Sequence, residues 1–566
     1  MSVRTACLAF GILAITLLLL GCGKDDRPPY ETATAAHPNI LFIVWDTVRA
    51  DRLSLYGHVR QTTPFLDRWA KDARVYNDCV AVGSTTVPSH ASMFTGLMPS
   101  EHGVSNEPRY HILPDEFETL AELLKAAGYD TYAFVCNPFL EAEPDKPSLM
   151  QGFDLVEYPW DAAHQQEALR ITISKIMPYD RTNYLAERVR AGYGLSKHDI
   201  KACGEQALPS LTKWLEKRGS QRPYFAFLNF MEAHAPLIPP LKYRRKFMTN
   251  EQIRASFNVD RSFPTLWKYL FGYYEYTPAE LELTGLTYDA ALLEEDEILQ
   301  QFIEGLEAAG RLENTVVVLV GDHGEHLGEH HRLDHQYSVY EPLLRVPLVI
   351  RDPARFSPGR ESRPAMTVDL FPTLLERVGL RSPVATKGVN LLDLPAQRVR
   401  LGEYLQYMSS ALRSVKHDAP DFDPRPWMRT LQAFYHEPYK LIAASDDRHE
   451  LYDLSQDPGE LNNLIDRQPE VGRRLLGELR DYLAALKIRP PSTSIPSVLT
   501  PSQQQLLERL GYLVPDQESD EIPQPGTQAR PGTQSQPSTQ SQPTSQLQPT
   551  SQSQPAPSPA DSQPTP

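Results

Sequence analysis

Five short apolar runs stand out along the first two thirds of the chain: Ile40 to Trp45, Thr131 to Cys136, Phe225 to Phe230, Val316 to Val320 and Val346 to Ile350. None alternates with polar residues as a half-exposed strand would. Each therefore reads as a strand covered on both faces, the pattern of a largely parallel sheet. Helical segments lie between them. Asp115-Glu116-Phe117-Glu118 has the Asp-x-x-Glu form of a capping box, and Gly128 falls where a left-handed residue closes a helix. Pro88 suits a first helical turn, so Ser89 to Phe94 predicts a short helix ended near Gly96; another helix is expected over roughly Asp289 to Leu306. Strands and helices in this alternation predict an α/β domain with a doubly wound sheet, whose ligands bind beyond the carboxyl ends of the strands.

Residues able to do chemistry follow the runs at that edge. Asp46 comes directly after the first run, His234 lies just beyond the third, and Asp322-His323-Gly324 follows the fourth. One Asp after a strand is ordinarily a turn or cap residue, but three such endings on one edge of a parallel sheet make a candidate site. Asp46, Asp322, His323 and the hydroxyl of Thr86 offer three oxygens and one imidazole for one divalent cation, a mixed set that leaves the metal open. Thr86 stands just ahead of the expected short helix. Its hydroxyl should face unsatisfied N–H groups there, which favour an alkoxide and a bound phosphoryl or sulfuryl group alike. The plainer role at that position is a helix cap, which threonine often fills.

The run Ser84-Thr85-Thr86-Val87-Pro88-Ser89-His90-Ala91-Ser92, with Asn39 to Asp46 before it and Thr95-Gly96-Leu97-Met98-Pro99-Ser100-Glu101-His102-Gly103 after it, resembles the sulfatase family of the alkaline phosphatase superfamily. The family pattern is Cys or Ser, any residue, Pro, Ser, Arg, and its Cys or Ser is oxidised to a formylglycine that attacks sulfate. Here Thr86 and His90 depart from that pattern. Threonine carries a methyl on Cβ and cannot become an aldehyde by that route. The resemblance thus implies a metal-activated hydroxyl, as in the phosphodiesterase and phosphotransferase branches. Thr47 stands in place of the second Asp of the family's Asp-Asp pair and His323 in place of an Asn, which implies zinc or manganese ahead of calcium or magnesium.

Other segments extend the resemblance. Ala233-His234-Ala235-Pro236 is similar to a His-x-Pro segment whose imidazole binds substrate oxygens or protonates the leaving group. Asp334-His335-Gln336-Tyr337-Ser338-Val339-Tyr340-Glu341 is similar to the segment carrying a substrate-binding Lys or His, which implies that role for His335. His90, in the Arg position, either contacts the nucleophile or a nonbridging oxygen, or simply sits in the helix. Arg49 is expected to brace the metal carboxylate, and His326, His330 and His331 to be solvated loop residues. Farther on, Asp369 to Leu375, Tyr439 to Ile442 and Glu450 to Leu454 resemble the family's C-terminal subdomain, a small antiparallel sheet with a closing helix at about Glu470 to Leu486. The likeness covers nearly the whole body, from about Pro38 to Leu486.

The two ends differ from this body. Arg4, the apolar run from Ala6 to Leu20, and Leu19-Leu20-Gly21-Cys22 read as a bacterial lipoprotein signal cleaved before a lipidated Cys22. The run is shorter than the roughly 20 residues of a spanning helix. The expected location is the cell envelope, membrane-anchored, on the periplasmic side. After Val514 the chain is Gln, Ser, Pro and Thr with few apolar residues, a composition that cannot build a core. Beyond Cys7 and Cys22, the five cysteines leave only Cys79, Cys136 and Cys203, so at most one disulfide can form after processing. A net charge of −16 opposes nucleic-acid binding, so an anionic ester must be met by local cations.

The segments expected are a signal over 1–21, a tether over 22–37, a catalytic domain over 38–390, a C-terminal subdomain over 391–490, a connecting segment over 491–514 and a tail over 515–566. The activity expected is metal-dependent hydrolysis of a phosphate diester, phosphonate or sulfate ester, with Thr86 as nucleophile and a covalent intermediate. Three rivals stand beside it: classical sulfatase activity on a sulfuric ester, transfer of the phospho group to another acceptor, and a non-catalytic lipoprotein that binds an anionic glycan or envelope partner. The residues leave oligomeric state open.

Overall fold

Successive residues of β1 (Asn39–Trp45) feed two different cores. Ile40, Phe42 and Val44 pack into one, and Leu41, Ile43 and Trp45 into the other. This is why the run is apolar without alternation: both faces of the strand are covered, and Ile40 to Trp45 are fully buried. Each such side chain contributes about 1.5–3 kcal/mol. The structure is a computed structural model and describes residues 33–34, 36–105, 113–142, 148–176, 197–219 and 221–488. The expected signal, Cys22, the connecting segment from 491 and the tail lie outside these residues.

The remaining strands of the large sheet are β2 (Arg74–Val80), β3 (Asp130–Val135), β4 (Leu155–Glu157), β5 (Tyr224–Phe230) and β6 (Thr315–Gly321). A small two-stranded ribbon follows, β7 (His326–Leu327) with β8 (Leu333–Asp334), and then β9 (Arg345–Arg351), β10 (Gly359–Glu361) and β11 (Ala365–Met366) return to the large sheet. Its order is β10-β2-β9-β6-β1-β5-β3-β4, with β11 also on β2. Pairing is parallel throughout except at β9, which runs antiparallel to β2 and β6. The chain is thus the doubly wound, largely parallel α/β fold that the apolar runs predict.

Helices cover both faces. α1 (Thr86–Thr95) lies on the first core through Val87, Ala91 and Phe94, and α2 (Leu120–Ala126) beside it. α3 (Cys203–Lys217) and the long α4 (Pro278–Ala308) cover the other core. Two expected starts are corrected. The cap of α2 is Thr119, whose Oγ1 accepts from Glu122 N while Glu122 Oε2 accepts from Thr119 N; Asp115-Glu116-Phe117-Glu118 lies in the turn ahead of it. α4 starts well before Asp289 because Thr277 and Glu280 form the same reciprocal box, with Pro278 at the first helical position. Gly128 does close α2, with φ 95°.

A second sheet, antiparallel, follows in order β12 (Arg400–Tyr404), β13 (Leu431–His436), β14 (Tyr439–Ala444) and β15 (Glu450–Asp453). α5 (Pro469–Ala484) packs Leu475 and Leu479 against Leu441 and Leu451. A buried ion cluster joins the sheets. Lys440 Nζ, fully buried on β14, lies 3.0 Å from Glu341 Oε1 and 2.7 Å from Glu460 Oε1. Among the described residues, no helix is long and apolar enough to cross a membrane.

Removing the cation of that cluster strands two carboxylates in a dry site. Lys440→Met is expected to cost about 3–5 kcal/mol, the price of breaking a buried pair from one side. Lys440→Arg should cost less. Denaturant unfolding followed by tryptophan fluorescence measures both, and a Lys440→Met midpoint equal to wild type would show that the cluster contributes nothing.

Candidate functional site

The register of three strands assembles the site. Trp45 pairs with Gly321 of β6 on one side and Phe230 of β5 on the other. Asp46 and Asp322 therefore leave adjacent strands at the same level, and the turn after β5 carries His234. The turn after Asp46 is forced. Thr47 has φ 60°, a region β-branched residues rarely occupy. It is held there by its N–H to Asp322 Oδ1 (3.1 Å) and by its carbonyl, which accepts from Tyr288 Oη (2.7 Å). At Gly324 a Cβ would lie 1.9 Å from the Pro342 carbonyl oxygen, so the Asp-His-Gly turn can pack there only with glycine.

Asp46 and Asp322 are each half-satisfied. Asp46 Oδ2 accepts from Asn137 Nδ2 (2.8 Å) and Asn229 Nδ2 (3.1 Å), and Asp322 Oδ1 accepts from the backbone of Thr47 and of His323 (2.8 Å). Their other oxygens, Asp46 Oδ1 and Asp322 Oδ2, are buried without a hydrogen-bond partner. Thr86 opens α1, and Thr85, with extended backbone, occupies the cap position. The Thr86 hydroxyl instead reaches His323 Nε2 at 3.2 Å and accepts from Asn137 Nδ2 at 3.4 Å. His323 Nδ1 lies 2.9 Å from the Gly324 carbonyl, which can only accept, so Nδ1 carries the proton and Nε2 the lone pair. Ser89 Oγ donates to the Asp322 carbonyl at 2.6 Å and ties α1 to the end of β6.

These donors fit a divalent cation. Ligand atoms of Asp46, Asp322 and His323 lie within 4.8 Å of one another, two carboxylate oxygens there are buried without a partner, and the imidazole presents a lone pair. The electrostatics agree. Burial opposes charge on Asp46, but the imidazoles of His234, His323 and His90, with Asn137, hold its carboxyl below the usual range. Burial and then the charge of Asp46 push Asp322 well above it. Two carboxylates sharing one dry site cannot both ionise without a cation between them. Burial and the neighbouring His335 lower His323 to about 3, leaving it in the neutral form a metal needs.

The other expected residues fall around this centre. His335 Nδ1 sits 2.8 Å from Asp334 Oδ1 and 3.4 Å from Glu325 Oε2. Burial disfavours its charge, yet those two carboxylates raise it well above the ordinary histidine range. Its ring lies 4.6 Å from that of His323 and 5.4 Å from that of His234. His234 Nδ1 donates to the Ala235 carbonyl at 2.6 Å, and burial lowers the ring to about 4. Lys201 Nζ holds this turn by donating to the carbonyls of Met231 and His234, both at 2.6 Å. His90 packs edge-on against Phe94 and Phe227, with Nδ1 2.9 Å from the Thr86 carbonyl and 3.6 Å from Asp322 Oδ2.

Two expectations fail. Arg49 does not brace a metal carboxylate; its guanidinium is taken by Asp51, Glu329 and the Glu325 carbonyl. His326 is not a solvated loop residue but is buried, with Nε2 2.9 Å from Ser338 Oγ. His330 stacks on Tyr340, and His331 is exposed over Tyr269. Asn137 and Asn229 were missed, though both left a signal. Asn229 is the polar residue in the run Phe225 to Phe230, and Asn137 follows Thr131 to Cys136 just as Asp46 follows β1. Cys79, Cys136 and Cys203 are free and buried.

Comparison with known proteins agrees with this geometry. The sulfatase family model matches residues 38–380, and a model described as N-sulphoglucosamine sulphohydrolase, C-terminal, matches residues 328–488. The chain is 24% identical to the uncharacterized sulfatase YidJ of Escherichia coli, over 82% of this chain and 90% of that one. It is 26% identical to an N-acetylglucosamine-6-O-sulfatase of Bacteroides thetaiotaomicron, over 80% and 87%. Among solved structures, the phosphonate monoester hydrolase SpPMH from Silicibacter pomeroyi superposes with a TM-score of 0.61 at 21% identity, covering 82% of this chain and 98% of that one. With its parallel sheet, its paired carboxylates at adjacent strand ends and a family match over most of its body, the chain belongs to the sulfatase family of the alkaline phosphatase superfamily and is an ester-hydrolysing enzyme.

Proposed function

We propose that the enzyme hydrolyses a phosphate diester, phosphonate or sulfate ester through the Thr86 hydroxyl. The observation that carries this reading is the Thr86 side chain: it leaves the cap position to Thr85 and points its oxygen at His323 Nε2, beside the partnerless oxygens of two buried carboxylates. Asp46, Thr86, Asp322 and His323 would hold one divalent ion, zinc or manganese by their mixed donors, and such an ion supplies Lewis acidity that lowers the pKa of a hydroxyl.

The chain's own residues do the rest. Thr86 sits at the first position of α1, where free N–H groups favour the oxygens of the bound anion. Its oxygen, its proton given up to solvent, attacks phosphorus or sulfur, and the bond from that atom to the ester oxygen breaks on the opposite side. His335, kept protonated by Asp334 and Glu325, donates to that departing oxygen. His234 is neutral, with Nδ1 committed to Ala235, so its Nε2 can take a proton from the water that then cleaves the Thr86 adduct and return it to the departing Thr86 oxygen. Asn137 orients Thr86 and Asp46 together. The N-terminal sequence, with its apolar run and Leu19-Leu20-Gly21-Cys22, supports a lipid tether through Cys22 in the cell envelope, on the periplasmic side.

Thr86→Ala is expected to lower kcat/KM on the true substrate by on the order of 10³-fold or more. A panel of aryl sulfate, phosphate diester and phosphonate ester, run with metal-loaded wild type and variant, measures it. Sulfate turnover that survives the substitution would refute the threonine route, and turnover only with an added acceptor alcohol would move the reading to transfer. Metal content offers a separate check: wild type should hold one divalent ion per chain and Asp322→Asn markedly less. Chelation should lower the wild-type melting temperature, since a ligand at a hundred times its Kd stabilises by about 2.7 kcal/mol. Cys22→Ala should move the protein from the membrane to the soluble fraction and abolish labelling by a radioactive fatty acid; unchanged fractionation would exclude the lipid tether.

A further inference from the structure

Cys136 and Cys203, far apart in the chain, come together in the fold. Cys136 is the first residue beyond β3 and Cys203 the first residue of α3, and both side chains are buried in the same core. Their thiols lie within side-chain hydrogen-bonding reach of each other. The backbone is fixed on both sides of the pair. Asn229 Oδ1 accepts from Cys136 N at 3.3 Å. At Gly204 a Cβ would lie 2.1 Å from Ile298 Cγ2, so the first turn of α3 seats on α4 only with glycine there. Cys79, the remaining cysteine of the body, packs in the other core.

Other uses of thiols fit this pair poorly. Burial pushes both above the ordinary range, which makes them poor nucleophiles. Among the described residues, neither belongs to a cluster able to hold a metal ion. Two sulfurs that face each other on fixed backbones are what a bridge requires. We propose that Cys136 and Cys203 are joined by a disulfide in the mature protein. The Cys203 thiol gives its proton to solvent, and its sulfur attacks one sulfur of an external disulfide such as oxidised glutathione, expelling a thiolate. Cys136, deprotonated in turn, attacks Cys203 Sγ; that closes the bridge and expels the second thiolate. The two cysteines lose two electrons and two protons in all, and the external disulfide becomes two thiols. Both sulfurs are buried in the finished fold, so closure belongs to the folding chain.

The position gives the bridge its consequence. Cys136 precedes Asn137, whose Nδ2 donates to Asp46 and Thr86. Cys203 lies two residues after Lys201, whose Nζ holds the carbonyls of Met231 and His234. One covalent link thus ties the segment that orients the nucleophile to the segment that holds the turn of His234. The loop it closes, from Asn137 to Ala202, is long, and long loops gain most from closure. The bridge in the cell rests on the envelope location proposed above, because disulfides persist in oxidising compartments.

Peptide mapping tests the link directly. Full-length protein from bacterial envelopes, quenched in acid, alkylated without reductant and digested, should yield a peptide pair joining Cys136 to Cys203 that disappears on reduction, with Cys79 alkylated throughout. The same protein, reduced, unfolded and refolded in reduced and oxidised glutathione, should form the same link. The bridged form should melt at least about 3 °C above the form reduced by a phosphine. Cys203→Ala should show no such difference, and Cys136→Ala gives the same reading if the first variant misfolds. Both cysteines alkylated in both preparations, a link through Cys79 instead, or a melting difference that persists in the alanine variants would overturn the bridge. A link formed on refolding but absent from cells would support the pairing and count against the envelope location alone.

Discussion

Two carboxylates, Asp46 and Asp322, are held side by side with both side chains fully buried, and everything around them answers to that constraint. Neither can move apart, because each is the first residue beyond one of two adjacent parallel strands in fixed register. Neither can find enough donors, because one oxygen of each is left without a partner. Like charges in low dielectric repel strongly. A cation between them would remove that repulsion, and the neutral His323 and the Thr86 hydroxyl lie beside them.

Beneath the carboxylates, the fold spends buried polar groups on orientation. Asn137 and Asn229, from the ends of β3 and β5, fix the inner oxygen of Asp46. Lys201, almost wholly buried, holds the carbonyls of the turn that carries His234. Tyr288 of α4 reaches up to the strained turn at Thr47, donating to its carbonyl and accepting from Arg49 N. These contacts come from five separate chain segments. Such a network holds reacting groups in place better than loops alone could, since its members lock one another.

The histidines show how neighbours divide roles among like residues. His323 and His335 have rings 4.6 Å apart, yet burial keeps one neutral while Asp334 and Glu325 keep the other protonated. A neutral ring suits a metal or a proton acceptor, and a charged one suits a donor. None of this follows from the residue type. It follows from which carboxylate each ring meets.

Much of the architecture is legible in the chain. Unbroken apolar runs identify doubly covered strands because a strand buried on both faces has no polar side to display, and Asp46 and Asp322-His323 are legible because in a parallel sheet the residue after each strand falls on one edge. Helix starts were less legible: Thr119 and Thr277 cap their helices through boxes with Glu122 and Glu280 that compete with equally plausible pairs nearby, and tertiary packing chooses between them. The fate of Arg49, taken by Asp51 and Glu329, and of His326, buried on Ser338, depends on partners far away or across a turn that no local pattern specifies. So the sequence by itself determined the strands, the family and the set of metal-ligand candidates, because these depend on periodicity and order along the chain. Only the tertiary structure decided which oxygens stay without partners and which imidazole is charged, because those are set by distances between segments that the chain order does not contain.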